Sequence, residues 1–502
     1  MFTDERRRIV WDELRERDLG LFAALLTTQT LEAAAARAGV AVGRGALNLF
    51  NLVWLSVSCA LRPTMNFATA LTWTLRLIAQ VDQSSRDAGS GSGSRAGADH
   101  GSGRPSSGRV GPDGKARGRR RSKHDPRKAD AALSEEAFAQ ARAAMPAAYW
   151  RALILLLGEL FEARHPDVIR WNGFRLLALD GTCVTLPRHK ALGEHFGYAR
   201  NKNGRPAPQA RLVMLQLPLA RLPWRYEIDA RDVGEKTIAA RLLSDVRRND
   251  LVLMDRGFFS FGLFSQIDRA GSFFVVRRIK RVRLRTVRTL GPGERLVQWT
   301  PAARQWQGGS MRLRVIDYQF KGFRKSALVT NLLDRSRASA GQLVGLESSG
   351  AWSAKADQAL YHRRWEIETS IREIKQTQQL TGHLRGRTPK TIEYEIHGHL
   401  LLYLLLRWVM VQAAHARGLD PLRLSFTAAL AQALLAGLVI LLLGGGGGGR
   451  PTRLLAAMIE QITQHLVPLR PGRSYPRRND GKVRRTGKRH KLLPAKLRRE
   501  KA

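Results

Sequence analysis

Cysteine is almost absent from this chain, since Cys59 and Cys183 are the only two among 502 residues. Two cysteines cannot build the disulfide framework on which small secreted domains depend. They also give no CxxC pair with the spacing of a zinc site. The sequence therefore excludes both classes of protein and fits a reducing compartment.

A long uninterrupted apolar run is also missing. The most apolar run, from Ala428 to Leu443, is interrupted by Gln432 and Gly437 and falls short of the about 20 residues that a bilayer span needs. The first 20 residues carry charges throughout, where a signal peptide needs an apolar segment. We therefore expect no membrane span and no export, and we expect residues 428–443 to form a buried or interface helix.

Acidic residues are scarce relative to basic ones. Lys and Arg total 84 against 42 Asp and Glu, which gives a formal net charge of +42. Such an excess predicts a polyanionic partner. Nucleic acid is the favoured partner, because phosphate neutralisation by Lys and Arg supplies most non-specific affinity for DNA and RNA. An anionic membrane surface is the alternative.

Changes of pattern along the chain predict seven segments. Residues 1–82 show apolar positions at helical spacing and predict a helical domain, either a plain bundle or a DNA-binding helix-turn-helix. Residues 83–132 are rich in Gly, Ser and Arg, cannot bury a core, and predict a disordered linker. The other segments are an α/β core over 133–277, a β-rich basic insertion over 278–333, the rest of the core over 334–388, C-terminal helices over 389–443, and a glycine tract with a basic tail over 444–502.

The α/β assignment depends on short apolar runs that alternate with helical ones between Phe174 and Phe259. The β-rich insertion instead alternates apolar and basic residues at period two, which predicts antiparallel strands with one basic face.

Two acids directly follow apolar runs of strand length. Asp180 follows RLLAL and precedes Gly181, while Asp255 follows LVLM and precedes Arg256 and Gly257. The carboxyl ends of strands are where α/β sheets place ligands, and Mg²⁺ prefers carboxylate oxygens. The alternative is ordinary turn chemistry, because Asp followed by Gly is common in turns, and each motif taken alone favours a turn.

The stretch YHRRWEIETSIREIK at 361–375 is predicted to be a helix. At about 100° per residue, four side chains fall within an arc of roughly 60° on one face: Tyr361, Arg364, Glu368 and Lys375. The isoleucines at 367, 371 and 374 lie along another side and suit a core. One face therefore carries a phenol, a guanidinium, a carboxylate and an ammonium.

Glu368 has two interpretations. It could be an ion-pair partner of Arg364 and Arg372 on a solvated face, a contact worth only some tenths of a kcal/mol. It could instead join Asp180 and Asp255 in holding two divalent ions for phosphoryl transfer. Because three such carboxylates stand in a strongly basic chain, we favour the second interpretation, with the phenol, guanidinium and ammonium holding an anionic substrate.

The spacing Y-x2-R-x3-E-x6-K is met in full by Tyr361, Arg364, Glu368 and Lys375. It resembles the signature of the insertion-sequence-four family of bacterial insertion-sequence DDE transposases. LDGT at Asp180 and DRGFFS at Asp255 are similar to the first and second aspartate motifs of that family, and EYEIHGHLLLYLLLRWVM is similar to its C-terminal continuation. The resemblance covers roughly residues 134–420.

This resemblance implies an RNase H-like catalytic core with a β-rich insertion. It implies Mg²⁺-dependent cleavage at transposon ends followed by strand transfer, with two ions for which Mn²⁺ is expected to substitute. The implied metal ligands are Asp180, Asp255 and Glu368, and the implied contacts to DNA phosphates are Tyr361, Arg364 and Lys375. The expected partners are the transposon ends and target DNA, with a homodimer on DNA, in the nucleoid-associated cytoplasm of a bacterium.

Two other functions remain open at this stage. One is a decayed transposase that binds DNA without cutting it. The other is an RNase H-like nuclease that cuts without strand transfer. The glycine- and serine-rich linker, the hexaglycine at 444–449 and the basic tail are not features of the family, so they bear on which of these functions this chain performs.

Overall fold

The computed structural model describes residues 22, 25–43, 47–62, 135–199, 206–301, 309–319, 325–344, 359–442 and 450–468. The predicted linker, the hexaglycine and the tail beyond residue 468 lie outside the described residues.

One mixed sheet of ten strands organises this part of the chain. The strands are β1 (Arg170–Trp171), β2 (Phe174–Thr185), β3 (Gln209–Leu217), β4 (Leu222–Ala230), β5 (Asp250–Met254), β6 (Phe273–Arg277), β7 (Arg285–Gly291), β8 (Glu294–Trp299), β9 (Met311–Tyr318) and β10 (Ser326–Thr330). Their order is β4-β3-β2-β5-β6-β10-β9-β8-β7, and β1 pairs with β2 at the side.

Strand direction divides this sheet into three regions. The strands β4, β3 and β2 are antiparallel neighbours, whereas β2, β5 and β6 run parallel to one another. From β6 through β10, β9 and β8 to β7, every neighbour is again antiparallel. All five residues of β5 are buried, as is usual for a parallel strand covered on both faces.

Helices surround the sheet. They are α1 (Thr28–Ala38), α2 (Leu49–Leu61), α3 (Glu135–Ala144), α4 (Ala147–Arg164), α5 (Lys190–Phe196), α6 (Glu235–Leu242), α7 (Phe261–Arg269), α8 (Ala340–Val344), α9 (Trp365–Arg372), α10 (Leu380–His383), α11 (Pro389–Ala416), α12 (Phe426–Leu442) and α13 (Arg450–Gln464). The connections β4-α6-β5 and β5-α7-β6 carry the chain along the centre of the sheet. The predicted α/β class is confirmed in this coarse form.

The core helix is α11. Thr388 caps its start by accepting a hydrogen bond from the backbone N–H of Thr391, and Pro389 occupies the first helical position, where its missing N–H costs nothing. The helix packs against α2, α3, α4, α12, α13 and β4, so nearly all of its side chains are buried. An amphipathic pattern is weak in α11 because the protein surrounds it on all sides.

The described N-terminal helices are packing elements. Helix α1 ends at Gly39, whose φ of 65° suits a residue without a Cβ. Helix α2 begins at Asn48, whose side chain accepts from the backbone N–H of Asn51 at 3.0 Å. Eleven of its residues are buried, and the helix packs on α11. A recognition helix must present side chains to DNA, so α2 lacks the exposure that a helix-turn-helix requires.

By length and composition, one of the described helices is long and apolar enough to cross a membrane. The number rises to two if the bent pair of helices α3 and α4 is counted as a single span. The single helix is α11, and 94% of its most apolar window is buried inside the protein. Such burial is that of a core helix. The run 428–443, predicted to be a buried or interface helix, lies largely in α12, which begins at Phe426 and whose residues Ala429 and Ala433 are buried.

The segment predicted as a basic β insertion forms β7 to β10. Its antiparallel strands are confirmed, and β10 pairs with β6, so these strands continue the central sheet. The prediction of one basic face is wrong at Arg314. Its side chain is fully buried, where Nε donates to Glu294 at 2.5 Å and Nη1 donates to the Ala338 carbonyl oxygen. A buried guanidinium needs such partners, and a period-two pattern cannot reveal them.

Candidate functional site

Asp180 and Asp255 lie side by side where the parallel pairing of two strands ends. In the register of β2 and β5, Leu179 is paired with Met254, and these are the last partners of the two strands. Each aspartate is the next residue along the chain after one of these partners. The predicted meeting of the two acids at the carboxyl edge of a parallel pair therefore follows from the register.

Asp180 differs from the prediction in one respect, because it does not end its own strand. Strand β2 continues to Thr185 and stays paired with β3 along that length. The turn interpretation is therefore wrong for Asp180 and Gly181. At Asp255 a 3-10 turn, Arg256–Phe258, does follow the strand, and Asp255 stands at its N-cap position.

Burial dominates the electrostatics of Asp180. The pKa of its carboxyl is raised to about 6, first by removal from water and to a smaller extent by the negative charges of Glu368 and Asp255. A hydrogen bond from the Gly181 N–H and the charge of Arg364 act in the opposite direction. The three predicted metal ligands therefore interact electrostatically, and like charges so arranged favour a bound cation.

The predicted helix over 361–375 consists of three kinds of helical turn. A 3-10 helix, Leu360–Arg364, is followed by α9 and then by a π turn, Glu373–Thr377. A uniform α-helix is therefore wrong for both ends of this segment. Ile367 and Ile374 face the core as predicted. Single π turns occur frequently at functional sites.

Tyr361 contacts the strand that carries Asp255. Its hydroxyl donates to the carbonyl oxygen of Met254 at 3.1 Å, and burial raises the pKa of the phenol above its ordinary value. The hydroxyl therefore holds the end of β5. A hydrogen bond from this hydroxyl to a phosphate requires the bond to Met254 to be exchanged.

Arg364 and Glu368 form the ion pair expected from their spacing. Arg364 Nη1 donates to Glu368 Oε1 at 2.6 Å. The Arg364 side chain is 6% exposed, whereas that of Glu368 is 40% exposed. Within the described part of the chain, Arg364 Nε is buried without a hydrogen-bond partner. The guanidinium therefore keeps an unused donor close to the acids.

Lys375 lies on the π turn and reaches β2 beyond Asp180. Its Nζ donates to Thr182 Oγ1 at 3.1 Å and to the Cys183 carbonyl oxygen at 2.8 Å. Burial lowers the pKa of this ammonium below its ordinary value. The structure thus brings all six predicted site residues to one region, where β2, β5 and the helical segment meet.

The donor set fits a hard divalent ion in its chemistry. In the residues that the structure describes, no three His, Cys, Asp or Glu side chains form a ready-made metal cluster. The acids nevertheless supply the carboxylate oxygens that Mg²⁺ prefers. Mutual repulsion acting on the buried Asp180 is also relieved by a cation. Asp180, Asp255 and Glu368 would be the residues that hold it.

A buried ionic cluster next to the site was missed by sequence reasoning. Arg221 and Arg407 donate to Glu373, and Arg221 also donates to Glu366. Glu366 and Glu373 are seven residues apart and share one helix face. This spacing is the feature of the sequence that could have indicated a common partner. The arginines lie far away in sequence, so only the fold reveals the cluster.

Comparison with known proteins relates the chain to enzymes that move DNA. The family model described as "Transposase DDE domain" matches residues 171–405. The transposase InsG for insertion sequence element IS4 of Escherichia coli (strain K12) is 28% identical over 356 residues, which cover 69% of this chain and 76% of that protein. Among solved structures, a piggyBac transposase synaptic complex with hairpin DNA matches with a TM-score of 0.39 and 11% identity, covering 94% of this chain and 88% of that one.

Proposed function

We propose that the chain is a DDE transposase of the insertion-sequence-four family, which cuts DNA at the ends of an insertion sequence and joins the freed ends to target DNA. The match to the transposase domain model and the 28% identity to an IS4 transposase support this proposal. The observation that carries this proposal is the register of β2 and β5, which sets Asp180 beside Asp255 with Glu368 close enough to influence the pKa of Asp180. The transposon ends, target DNA and a second copy of the chain are the proposed partners.

The three acids are the proposed ligands of two Mg²⁺ ions. Bound ions supply Lewis-acid activation of the attacking oxygen and charge stabilisation of the leaving oxygen. The chain's own contribution is positioning, which accounts for much of the catalysis in phosphoryl transfer. Burial of Asp180 and the rigid pairing of β2 with β3 and β5 fix where the carboxylates stand.

Arg364 and Lys375 are the proposed contacts to the phosphate being cut. Arg364 Nε has no partner among the described residues but is buried, so a bond from it to a phosphate oxygen requires the guanidinium to move toward the open side of the site. Lys375 brings a point charge to the edge of β2, where its present partners are neutral oxygens that an anion would displace. Tyr361 adds its hydroxyl after leaving Met254.

The strands β4-β3-β2-β5-β6 are the proposed RNase H-like core. Support comes from their mixed directions, antiparallel on one side of β2 and parallel on the other, with the two acids at the centre. The strands β7 to β9 are the proposed insertion between the second aspartate and the glutamate.

Single substitutions of the acids test this function. Asp180→Asn, Asp255→Asn and Glu368→Gln should each abolish Mg²⁺-dependent cleavage of DNA carrying the element's ends, while binding of that DNA without metal persists. Asp232→Asn is the matched control, because this acid is 80% exposed and outside the site. The assay is end cleavage and plasmid joining with purified full-length protein.

The alternatives give other results in the same assay. A nuclease yields cleavage without a joined product. A decayed transposase binds the ends and never cuts them. Full cleavage by all three variants would contradict the assignment of the acids.

A further inference from the structure

The cluster beside the site consists of Arg221, Glu366, Glu373, Tyr403 and Arg407, and we call it the clamp. Arg221 Nε donates to Glu366 at 2.6 Å, and its Nη1 donates to Glu373 at 3.0 Å. On the other side of Glu373, the Tyr403 hydroxyl donates at 2.6 Å and Arg407 Nη2 donates at 2.5 Å. Glu373 thus receives three donors from two different elements.

The clamp is held in a largely dry environment. The side chain of Arg407 is 1% exposed, and those of Arg221 and Glu373 are 12% and 13% exposed. Burial alone would raise the pKa of Glu373, but Arg407 and Arg221 outweigh it and hold the pKa below its ordinary value. The carboxylate is therefore charged in the folded protein, and the geometry of its ion pairs is well defined.

The two glutamates of the clamp flank Glu368 along the chain. Glu366 lies in the first turn of α9, and Glu373 begins the π turn after it. Arg221 bridges both and therefore spans the segment that carries Glu368. Arg221 itself lies between β3 and β4 with φ of 51°, a region that residues with a Cβ rarely adopt unless contacts hold them there.

The π turn connects the clamp to Lys375. The Gln378 N–H donates to the Glu373 carbonyl oxygen at 2.8 Å, which is the i to i+5 bond of a π turn. An ordinary α turn would rotate the residues after Glu373 to another direction. With the π turn, Ile374 is buried and Lys375 reaches Thr182 and Cys183 on β2.

We propose that the clamp is a positioning device for the transposase site. By fixing Glu373 from two sides, it sets the π turn that delivers Lys375 to β2 and fixes the helix that presents Glu368 to the aspartates. The effect on cleavage rests on the proposed function above, whereas the effect on Lys375 does not. Arg221, Glu373 and Arg407 are positioning residues, since none of them is a ligand of the proposed metal ions.

Two variants separate positioning from stability. Arg221→Met removes the bridge but leaves Arg407 and Glu373 paired. The double variant Glu373→Gln with Arg407→Met removes two buried charges together, which costs less stability than stranding one of them. Glu294→Gln is the matched control, because it breaks another buried carboxylate–arginine pair, with Arg314 in β8 and β9, away from the site.

The first measurement is the rate at which the Lys375 amine of the intact protein reacts with an acylating reagent, read by mass spectrometry. We expect about tenfold faster labelling in both clamp variants and no change in Glu294→Gln, because local release exposes the amine. The second measurement is single-turnover end cleavage at saturating DNA. We expect the cleavage rate to fall about 100-fold in the clamp variants, because small misplacements of groups near the reacting atoms have effects of this size.

The outcomes are distinguishable. Unchanged Lys375 labelling in folded clamp variants overturns the inference. It is also overturned if the folded double variant cleaves at the rate of the parent, because the site is then positioned without the clamp. If Arg221→Met does not fold, the double variant decides alone. If the clamp variants are labelled faster than the parent but the parent never cuts DNA, the result supports the clamp and contradicts the proposed function.

Discussion

At the scale of single residues, the ion pair between Arg364 and Glu368 shows how one contact serves two interpretations. The pair forms as helix spacing predicts, yet its two members differ in exposure, with the guanidinium buried and the carboxylate open to solvent. A pair that existed only for surface stability would contribute little. Burying the cation and leaving the anion accessible suits a carboxylate that still has to bind something.

Lys375 should contribute to DNA binding through its charge. Lys375→Ala is expected to weaken binding of the element's ends and to reduce the slope of log K against log salt by about 1, because the protein then neutralises one phosphate fewer. Lys190→Ala is the control, since that side chain is 86% exposed on another helix. Titration of end binding over a range of salt concentrations measures both slopes, and equal slopes in the two variants would contradict the assigned role of Lys375.

Glu395 should make the protein less stable as pH rises. Burial raises the pKa of its carboxyl to about 7 from an ordinary value of 4.5. Between these values the folded state binds more protons than the unfolded state, so stability falls as pH rises through that window. Glu395→Gln should therefore be more stable than the parent at pH 8, by about 3 kcal/mol at most.

The same Glu395→Gln gain should vanish below about pH 4.5, where the parent carboxyl is protonated in both states. Urea unfolding at a series of pH values measures it. The exposed Glu194→Gln is the control and should show no such pH-dependent gain. A gain that persists at low pH would mean that packing, not protonation, explains it.

At the scale of elements, sequence patterns predicted what is local and missed what is distant. The buried strand β5 follows from its apolar run and the core face of α9 from apolar periodicity. The meeting of Asp180 and Asp255 follows from their positions directly after two apolar runs of strand length. The end of β2 was not predicted correctly, because Asp followed by Gly usually signals a turn. In the structure, pairing with β3 continues the strand past these two residues. The clamp was not predicted from the sequence, since Arg221 and Glu373 are brought together only by the fold.

Helix packing gives one prediction at this scale. Gly398 on α11 faces α2 so closely that an added Cβ would lie 2.0 Å from Ser56 Oγ and 3.0 Å from the Ser56 carbonyl oxygen. Gly398→Ala should therefore separate the two helices and cost about 1–3 kcal/mol. Urea unfolding should show the loss, with partial recovery when Ser56→Ala removes the nearer atom.

Gly291→Ala is the control for this substitution, because a Cβ there meets nothing within 4 Å and its φ is not positive. Equal losses at the two glycines would show that the close approach of α2 and α11 has no special cost.

At the scale of the whole molecule, charge is unevenly spread along the sequence. Residues 469–502 contain 14 Lys and Arg against 2 acids, out of a net charge of +42 for the chain. We therefore expect these residues to add charge for DNA binding.

Removing residues 469–502 should weaken non-specific DNA binding and leave the melting temperature unchanged. The slope of log K against log salt should become shallower by about 0.9 for each phosphate that the protein no longer neutralises. A full-length variant with glutamine in place of the tail's Lys and Arg is the matched control and should behave like the truncated chain. A slope that stays the same in both would place the DNA-binding charge elsewhere.

The pairing of β10 with both β6 and β9 limits how this protein can be made smaller. Deleting the whole of residues 278–333 would remove β10 and leave the backbone donors and acceptors of β6 unpaired at a sheet edge. Exposed edges of this kind invite other chains to add as strands, so such a protein would aggregate for reasons unrelated to catalysis. A workable minimal enzyme must keep Ser326–Thr330 and shorten the chain between β6 and β10 instead.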